Sequence, residues 1–396
     1  MKKRLFSSAL LLVLTVSGVH AQSDSEAPLS IFGYFQNSFS HQTKSLGESD
    51  RNSFNLQQLN LFFQKKLSRN WRAFVNFEFV NTFSSSRQWG SANLEEAWAA
   101  YSPNENFNLK LGLLLPIFNN LNTIKNRTPI LPYVIRPLAY ETSFQDFIPV
   151  EDFAPSRAFA QAYGFLPFRG MKLDYAAYLG NSPNIASLSS ADDANQQTGV
   201  DTTNTFLVGG RIGLSYFDDF KIGFSMTYDK TNFFEAANQL IFQSSNKLLL
   251  GTNSDFGNVP RKRYGGDLSF RYKNIAFESE IIKVQHDEDI QNADLDRDFF
   301  YITLGYRFKE RLFVYASYWD VRLDYTVATV LKDEVQVFVV DGDIILPNFG
   351  IAYSVNDRIT LKAHIARADL AEDIPFLELF EKDKFYHLNA AISIFF

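Results

Sequence analysis

Apolar and polar residues alternate with a period of two along most of the chain, and the alternating segments come in pairs joined by very short turns. The turns are Ser68-Arg69-Asn70, Phe168-Arg169-Gly170, Asp218-Asp219, Lys273-Asn274, Lys309-Glu310 and Asn356-Asp357. Between the pairs run longer connections. Reading the alternation predicts strands over 29–40, 53–67, 71–82, 92–102, 106–115, 157–167, 170–180, 204–217, 220–230, 260–273, 275–286, 298–308, 311–323, 342–355, 358–368 and 384–396. Each is close to the ~9 to 11 tilted residues that cross a bilayer as a β-strand.

Neighbouring residues on a strand point to opposite sides, so the alternation also assigns faces. In the third segment Trp71, Ala73, Val75, Phe77 and Phe79 are expected outside, with Arg72, Asn76 and Glu78 inside. In the eighth, Phe206, Val208, Ile212, Leu214 and Tyr216 are expected outside and Arg211 inside. An even strand number puts both termini on the side of the short turns, the pattern of single-chain bacterial outer-membrane barrels. The expected fold is therefore an all-β, transmembrane, antiparallel up-and-down barrel of about 16 strands. A barrel of that girth is too wide for side chains to fill, which leaves a water-filled lumen.

The two ends carry the signals that separate a membrane barrel from a soluble sandwich. Lys2, Lys3 and Arg4 precede an apolar stretch from Leu5 to Val19, and His20-Ala21 precede Gln22, the order of a secretory signal. Residues 1–21 are expected to be removed, with 22–396 forming the barrel and no plug ahead of its first strand. At the other end every even position from Tyr386 to Phe396 is apolar. A last amphipathic strand ending in Phe396 resembles the assembly signal read by the barrel-assembly machinery. Outer-membrane lipid and lipopolysaccharide are then the expected surroundings, in a Gram-negative bacterium.

Of 38 Lys and Arg against 44 Asp and Glu, three basic residues lie in the leader, so the mature chain is acidic and nucleic acid is not an expected partner. The absence of cysteine fits export without a disulfide framework.

One connection differs from the rest. Pro116 to Ser156 lacks alternation, carries Pro116, Pro129, Pro132, Pro137, Pro149 and Pro155, and is rich in apolar residues such as Phe118, Ile130, Tyr133, Val134 and Phe144. A loop this apolar gains by packing against the inner wall, at ~25 cal/mol per Å² of apolar area removed from water. As the third loop on the long side, it is expected to fold into the lumen and narrow it. Its charges, Lys125, Arg127, Arg136, Glu141, Asp146, Glu151 and Asp152, with Arg157 just after, are the candidate constriction residues, and opposed signs across a narrow opening set up a transverse field.

On the strands the alternation points Arg72, Lys110, Lys172, Arg211, Lys221, Arg261, Arg263, Arg271, Arg307, Arg322 and Lys362 inward, against Glu78, Asp174, Asp267, Glu278, Glu280 and Asp320. The wall leans basic although the chain is acidic, which predicts an anion preference unless the arginines pair with the acids.

Glu96-Ala97-Trp98 with Tyr101, followed by Gly112-Leu113-Leu114-Leu115-Pro116-Ile117-Phe118, resembles the amino-terminal half of the phosphate-selective porin family. The resemblance covers about a sixth of the chain and implies a sixteen-stranded, trimeric diffusion channel for small solutes. Two departures bear on phosphate: Gln57-Gln58 stand where that family often carries arginines, and Leu113 to Leu115 replace polar and lysine positions.

Two other readings start from other residues. A surface receptor or adhesin would act through the connections 181–203 and 231–259. An enzyme would need a nucleophile or metal motif, and His41, His286, His364 and His387 stand in none. His286 before Asp287-Glu288-Asp289 reads as a solvated turn rather than a metal site. Neither a cofactor nor a metal is expected.

Overall fold

The computed structural model describes residues 27–43, 50–80, 90–125, 127–140, 153–182, 205–217, 219–231, 259–287, 295–331, 334–374 and 379–396. The leader, Glu141, Asp146, Glu151 and Asp152, and most of the connections 181–203 and 231–259 lie outside these residues.

Alternating β-branched, aromatic and polar residues fold into β1 (Ser30–Gln42), β2 (Arg51–Lys66), β3 (Trp71–Val80), β4 (Ser91–Asn104), β5 (Phe107–Leu114), β6 (Ala158–Phe168), β7 (Met171–Gly180) and β8 (Leu207–Tyr216). The second half comprises β9 (Phe220–Thr231), β10 (Val259–Tyr272), β11 (Ile275–His286), β12 (Leu295–Phe308), β13 (Leu312–Leu331), β14 (Glu334–Asn356), β15 (Ile359–Ile374) and β16 (Leu379–Phe395). Every strand pairs antiparallel with its sequence neighbours, and β1 pairs with β16, so the sheet closes into a sixteen-stranded barrel with no free edge. Phe396 sits at the seam, exchanging two backbone hydrogen bonds with Gly33, at 2.9 and 3.0 Å.

The outer wall is apolar and exposed, as a lipid-facing surface must be: Ile212 is 64% exposed, while its neighbour Arg211 is buried inside. The short turns use residues with positive φ, including Arg169, Lys273, Lys309 and Glu310. β13 and β14 run on past the lengths read from the sequence and pair from Leu312 with Tyr353 up to Leu331 with Glu334. Their extra residues, rich in Val and Thr, extend the hairpin beyond what crossing a bilayer requires.

One assignment of faces is corrected. On β13 the buried residues are Phe313, Tyr315, Ser317, Trp319, Val321 and Leu323, so Asp320 and Arg322 point outward. Arg322 is 66% exposed and lies 3.5 Å from Asp320. The rule that apolar residues face lipid reverses on this wall, because its inner side packs on another part of the chain.

That part is the connection between β5 and β6. Phe118, Leu121, Val134, Ile135, Leu138, Ala139, Tyr140, Phe153 and Ala154 form one buried cluster with Ile282, Val284, Phe299, Tyr301, Trp319, Val321 and Leu346 of β11 to β14. Three short 3-10 turns, Asn122–Ile124, Thr128–Ile130 and Leu138–Tyr140, lie among its described residues.

Candidate functional site

The connection leaves β5 at a point only glycine can occupy. Gly112 has φ +122°, and a Cβ there would lie 2.9 Å from Trp98 Cα. Gly112 lies within the stretch, between Leu111 and Leu114, where the pairing of β5 with β6 becomes irregular.

From there polar side chains around the barrel hold it. Asn122 Nδ2 donates to the carbonyls of Pro116 and Pro155, at 2.9 and 3.0 Å, joining the two ends of the connection. Ser225 on β9 accepts from Asn119 N at 2.9 Å, and Glu280 Oε1 on β11 accepts from Asn120 N and Leu121 N, both at 2.9 Å. Tyr140 donates to Glu280 Oε2 at 2.5 Å, and Tyr133 donates to Glu278. Burial and the facing carboxylates push both tyrosine hydroxyls well above the ordinary tyrosine pKa, so they stay protonated donors.

On the opposite side, Gln36 and Gln57 donate to Val134 O at 3.2 and 2.8 Å, and Gln58 Oε1 accepts from Thr128 N at 3.2 Å. Lys362 on β15 reaches in beneath the second turn. Its Nζ donates to the carbonyls of Thr128, Pro129 and Tyr133 at 3.0, 3.2 and 3.2 Å, and to Gln36 Oε1 at 2.8 Å. Partners on β1, β2, β9, β11 and β15 of a closed ring can be met by one short segment only across the lumen.

Two β-bulges aim the acids and amides at this segment. Gln57 is the extra residue in β2, since Gln36 pairs with Gln58 and Asn37 with Leu56. Glu95 is the extra residue in β4, since Asn76 pairs with Glu96 and Phe77 with Leu94. A bulge lets two successive side chains share a face, and both Glu95 and Glu96 are buried inside. Arg127 lies 3.3 Å from Glu96, and Arg157 lies 3.7 Å from Glu95. Glu78 accepts from Gln58 at 2.6 Å, and the charge of the buried Arg136 bears on it. Lys125 is half-buried at the end of the first turn. Thus loop arginines face wall carboxylates, a polarity that alternation alone misses because it forbids adjacent inward residues.

The predicted lumen cations fall into three groups. Arg211, Arg261 and Arg263 are buried and ion-paired: Arg211 pairs with Asp267 at 2.6 Å, while Asp229 receives both Arg261 at 2.6 Å and Arg263 at 3.0 Å. Asp229 shares its inward parity with Lys221, and that was the available signal for it. The Arg211–Asp267 pair spans β9 at Gly223, where a Cβ would lie 2.5 Å from Asp267 Oδ2. Lys362 is committed to the loop.

Of the remaining inward cations, which lie toward the short-turn side, four rest on rings. Arg72 and Lys110 lie 5.5 and 4.5 Å from the centre of Trp98, Lys172 lies 5.5 Å from Phe165, and Arg307 lies 5.4 Å from Phe313. Arg271 is exposed at the rim. Trp98 itself donates to Glu96 Oε2 at 2.9 Å and stacks on Phe74, continuing an aromatic ladder through Phe62 to Phe32.

The family model that matches the chain is that of the Gram-negative porins, over residues 8–372. No curated protein matches the sequence. Among solved structures, an anion-selective porin from Comamonas acidovorans superposes with a TM-score of 0.58 at 11% identity, covering 93% of this chain and 99% of that one. The trimer form of OmpT from Vibrio cholerae gives 0.52 at 10% identity, covering 93% and 100%. The outer-membrane channel DcaP of Acinetobacter baumannii gives 0.54 at 12% identity, covering 94% and 99%.

Proposed function

The chain belongs to the Gram-negative porin family and forms a passive channel in the outer membrane, and from that premise we propose that the channel prefers anions. The observation that carries the reading is the imbalance of charge in the lumen below the inserted loop. Lys66, Arg72, Lys110, Lys172, Lys221, Arg271 and Arg307 face this space on their strands, against Asp174 and Glu278 among the described residues. Glu278 is covered by Tyr133, which takes it further from the solute path. Arg72, Lys110, Lys172 and Arg307 rest on aromatic rings, and a ring holds a cation in place without cancelling its charge, so these side chains still raise the local anion concentration.

At the loop, Arg127, Arg136 and Arg157, with the half-buried Lys125, meet Glu78, Glu95 and Glu96 and set a transverse field rather than a net charge. Glu141, Asp146, Glu151 and Asp152 are proposed to complete it. The role is transport alone, without catalysis, cofactor or metal. The partners proposed are outer-membrane lipid and lipopolysaccharide, the barrel-assembly machinery acting on the strand that ends at Phe396, and two further copies of the chain, the last on the likeness to a trimeric OmpT. Residues 1–21 are proposed as a cleaved leader.

The test is the reversal potential of the purified protein in planar bilayers across a potassium chloride gradient. Anion preference gives the sign of a chloride-selective membrane; the opposite sign refutes it.

A further inference from the structure

Strand register places Lys66 opposite Arg72, Arg72 opposite Ala100, Ala100 opposite Lys110, and Lys110 opposite Gln161. β2 to β6 thus each give one lumen-facing residue to a single level of the wall, just above the short turn at Ser68–Asn70. Three of the five are cations. None of the three makes an ion pair with a described carboxylate. Elsewhere in the lumen Arg211 is ion-paired with the buried Asp267, and Arg261 and Arg263 share the buried Asp229.

Arg72 and Lys110 approach the same ring from the two strands that flank β4, and Lys110 also lies 5.2 Å from Tyr163. Ala100, between them in the row, is completely buried, and its small side chain lets both neighbours lean toward Trp98. Two like charges drawn to one ring repel each other, and a bound anion relieves that repulsion. Arg72 is exposed to the lumen, and a guanidinium presents paired donors that match the oxygens of a carboxylate or phosphate.

We propose that Arg72 and Lys110, with Lys66 at the margin, form an anion-binding subsite on the short-turn side of the inserted loop, where a small carboxylate or phosphate pauses during passage. The subsite rests on the reading of the lumen as an anion path and adds a stopping point within it.

The experiment is single-channel recording of the full mature protein in potassium chloride, with succinate or inorganic phosphate added in increasing amounts. Saturable interruption of the chloride current by either probe is expected, and which probe acts identifies the anion class. The double variant R72Q/K110Q should raise the half-blocking concentration about tenfold or more, as loss of charge-assisted contacts implies. The single variants should fall between, and K273Q, in the turn after β10, should match the wild type. Open steps in chloride alone report that each variant has folded and inserted. Absence of saturable block by both probes, or the same half-blocking concentration in the double variant, overturns the subsite. Reversal potentials from the same membranes separate the two readings. An anion-selective channel without block overturns the subsite alone, whereas a cation-selective channel with residue-dependent block overturns the selectivity and leaves the subsite.

Discussion

Replacing Lys362 by methionine removes the ammonium while keeping an unbranched stem of similar length, so the wall of β15 is undisturbed and the effect falls on the inserted loop. In the wild type the ammonium's three protons are shared among the carbonyls of Thr128, Pro129 and Tyr133 and the amide oxygen of Gln36, and the residue is only 3% exposed. Hydrogen bonds from a charged donor contribute roughly 1.5–3 kcal/mol each, so three of them set an upper bound of about 5–9 kcal/mol. Burying the charge offsets part of this, and water in the lumen can reach some of the released carbonyls. A net weakening of the loop's attachment by about 3 kcal/mol raises the detached population by about a hundredfold. The barrel remains closed, since its ladder hydrogen bonds do not involve this side chain. Single-channel recording should show open levels with more noise and larger sub-steps than the wild type, and limited proteolysis should open new cuts within residues 127–135. Unchanged steps, noise and cleavage in a folded K362M protein would refute the loop-holding role.

Three further outcomes follow from the same geometry. Arg211→Ala leaves Asp267 buried without its partner, and should lower the temperature at which the folded barrel converts on heated gels, by the equivalent of about 3–5 kcal/mol; equal heat resistance would contradict the pairing. Arg322→Gln, on the outer face of β13, should leave conductance and reversal potential at wild-type values, and a shifted reversal potential would return that residue to the lumen. Because Tyr133 and Tyr140 are pushed up by burial and by Glu278 and Glu280, both hydroxyls stay protonated in the folded protein where free tyrosine begins to ionise. Their contribution to holding the loop is complete below the ordinary tyrosine pKa of about 10 and declines as pH rises beyond it. Channel noise should therefore be flat in pH from 7 to 9 as far as these groups are concerned; a rise within that window that Y133F/Y140F abolishes would contradict the assignment.

The strand count and the outer face were legible because they depend on a two-residue period that lipid on one side enforces. Val208, Ile212 and Tyr216 against Arg211 is the clear case. The same rule reversed Asp320 and Arg322, because the inner wall of β13 is covered by loop residues and is as apolar as a lipid face. It also hid Glu95 and Gln57, which owe their inward position to bulges, and a bulge leaves no mark in a simple alternation. The arginines of β8 and β10 could be placed inside from sequence. Their pairing with Asp267 and Asp229 depends on register across three strands and on the space over Gly223. The distinction between aspartate-paired cations and ring-supported ones is therefore a property of the folded barrel.

The barrel encloses a passive, water-filled path. Single-channel recording of the folded protein in planar bilayers tests it most directly, with potassium chloride as the only solute. Discrete open steps that need no added ligand are expected, with current proportional to voltage near zero. A folded, inserted barrel that conducts nothing would contradict it.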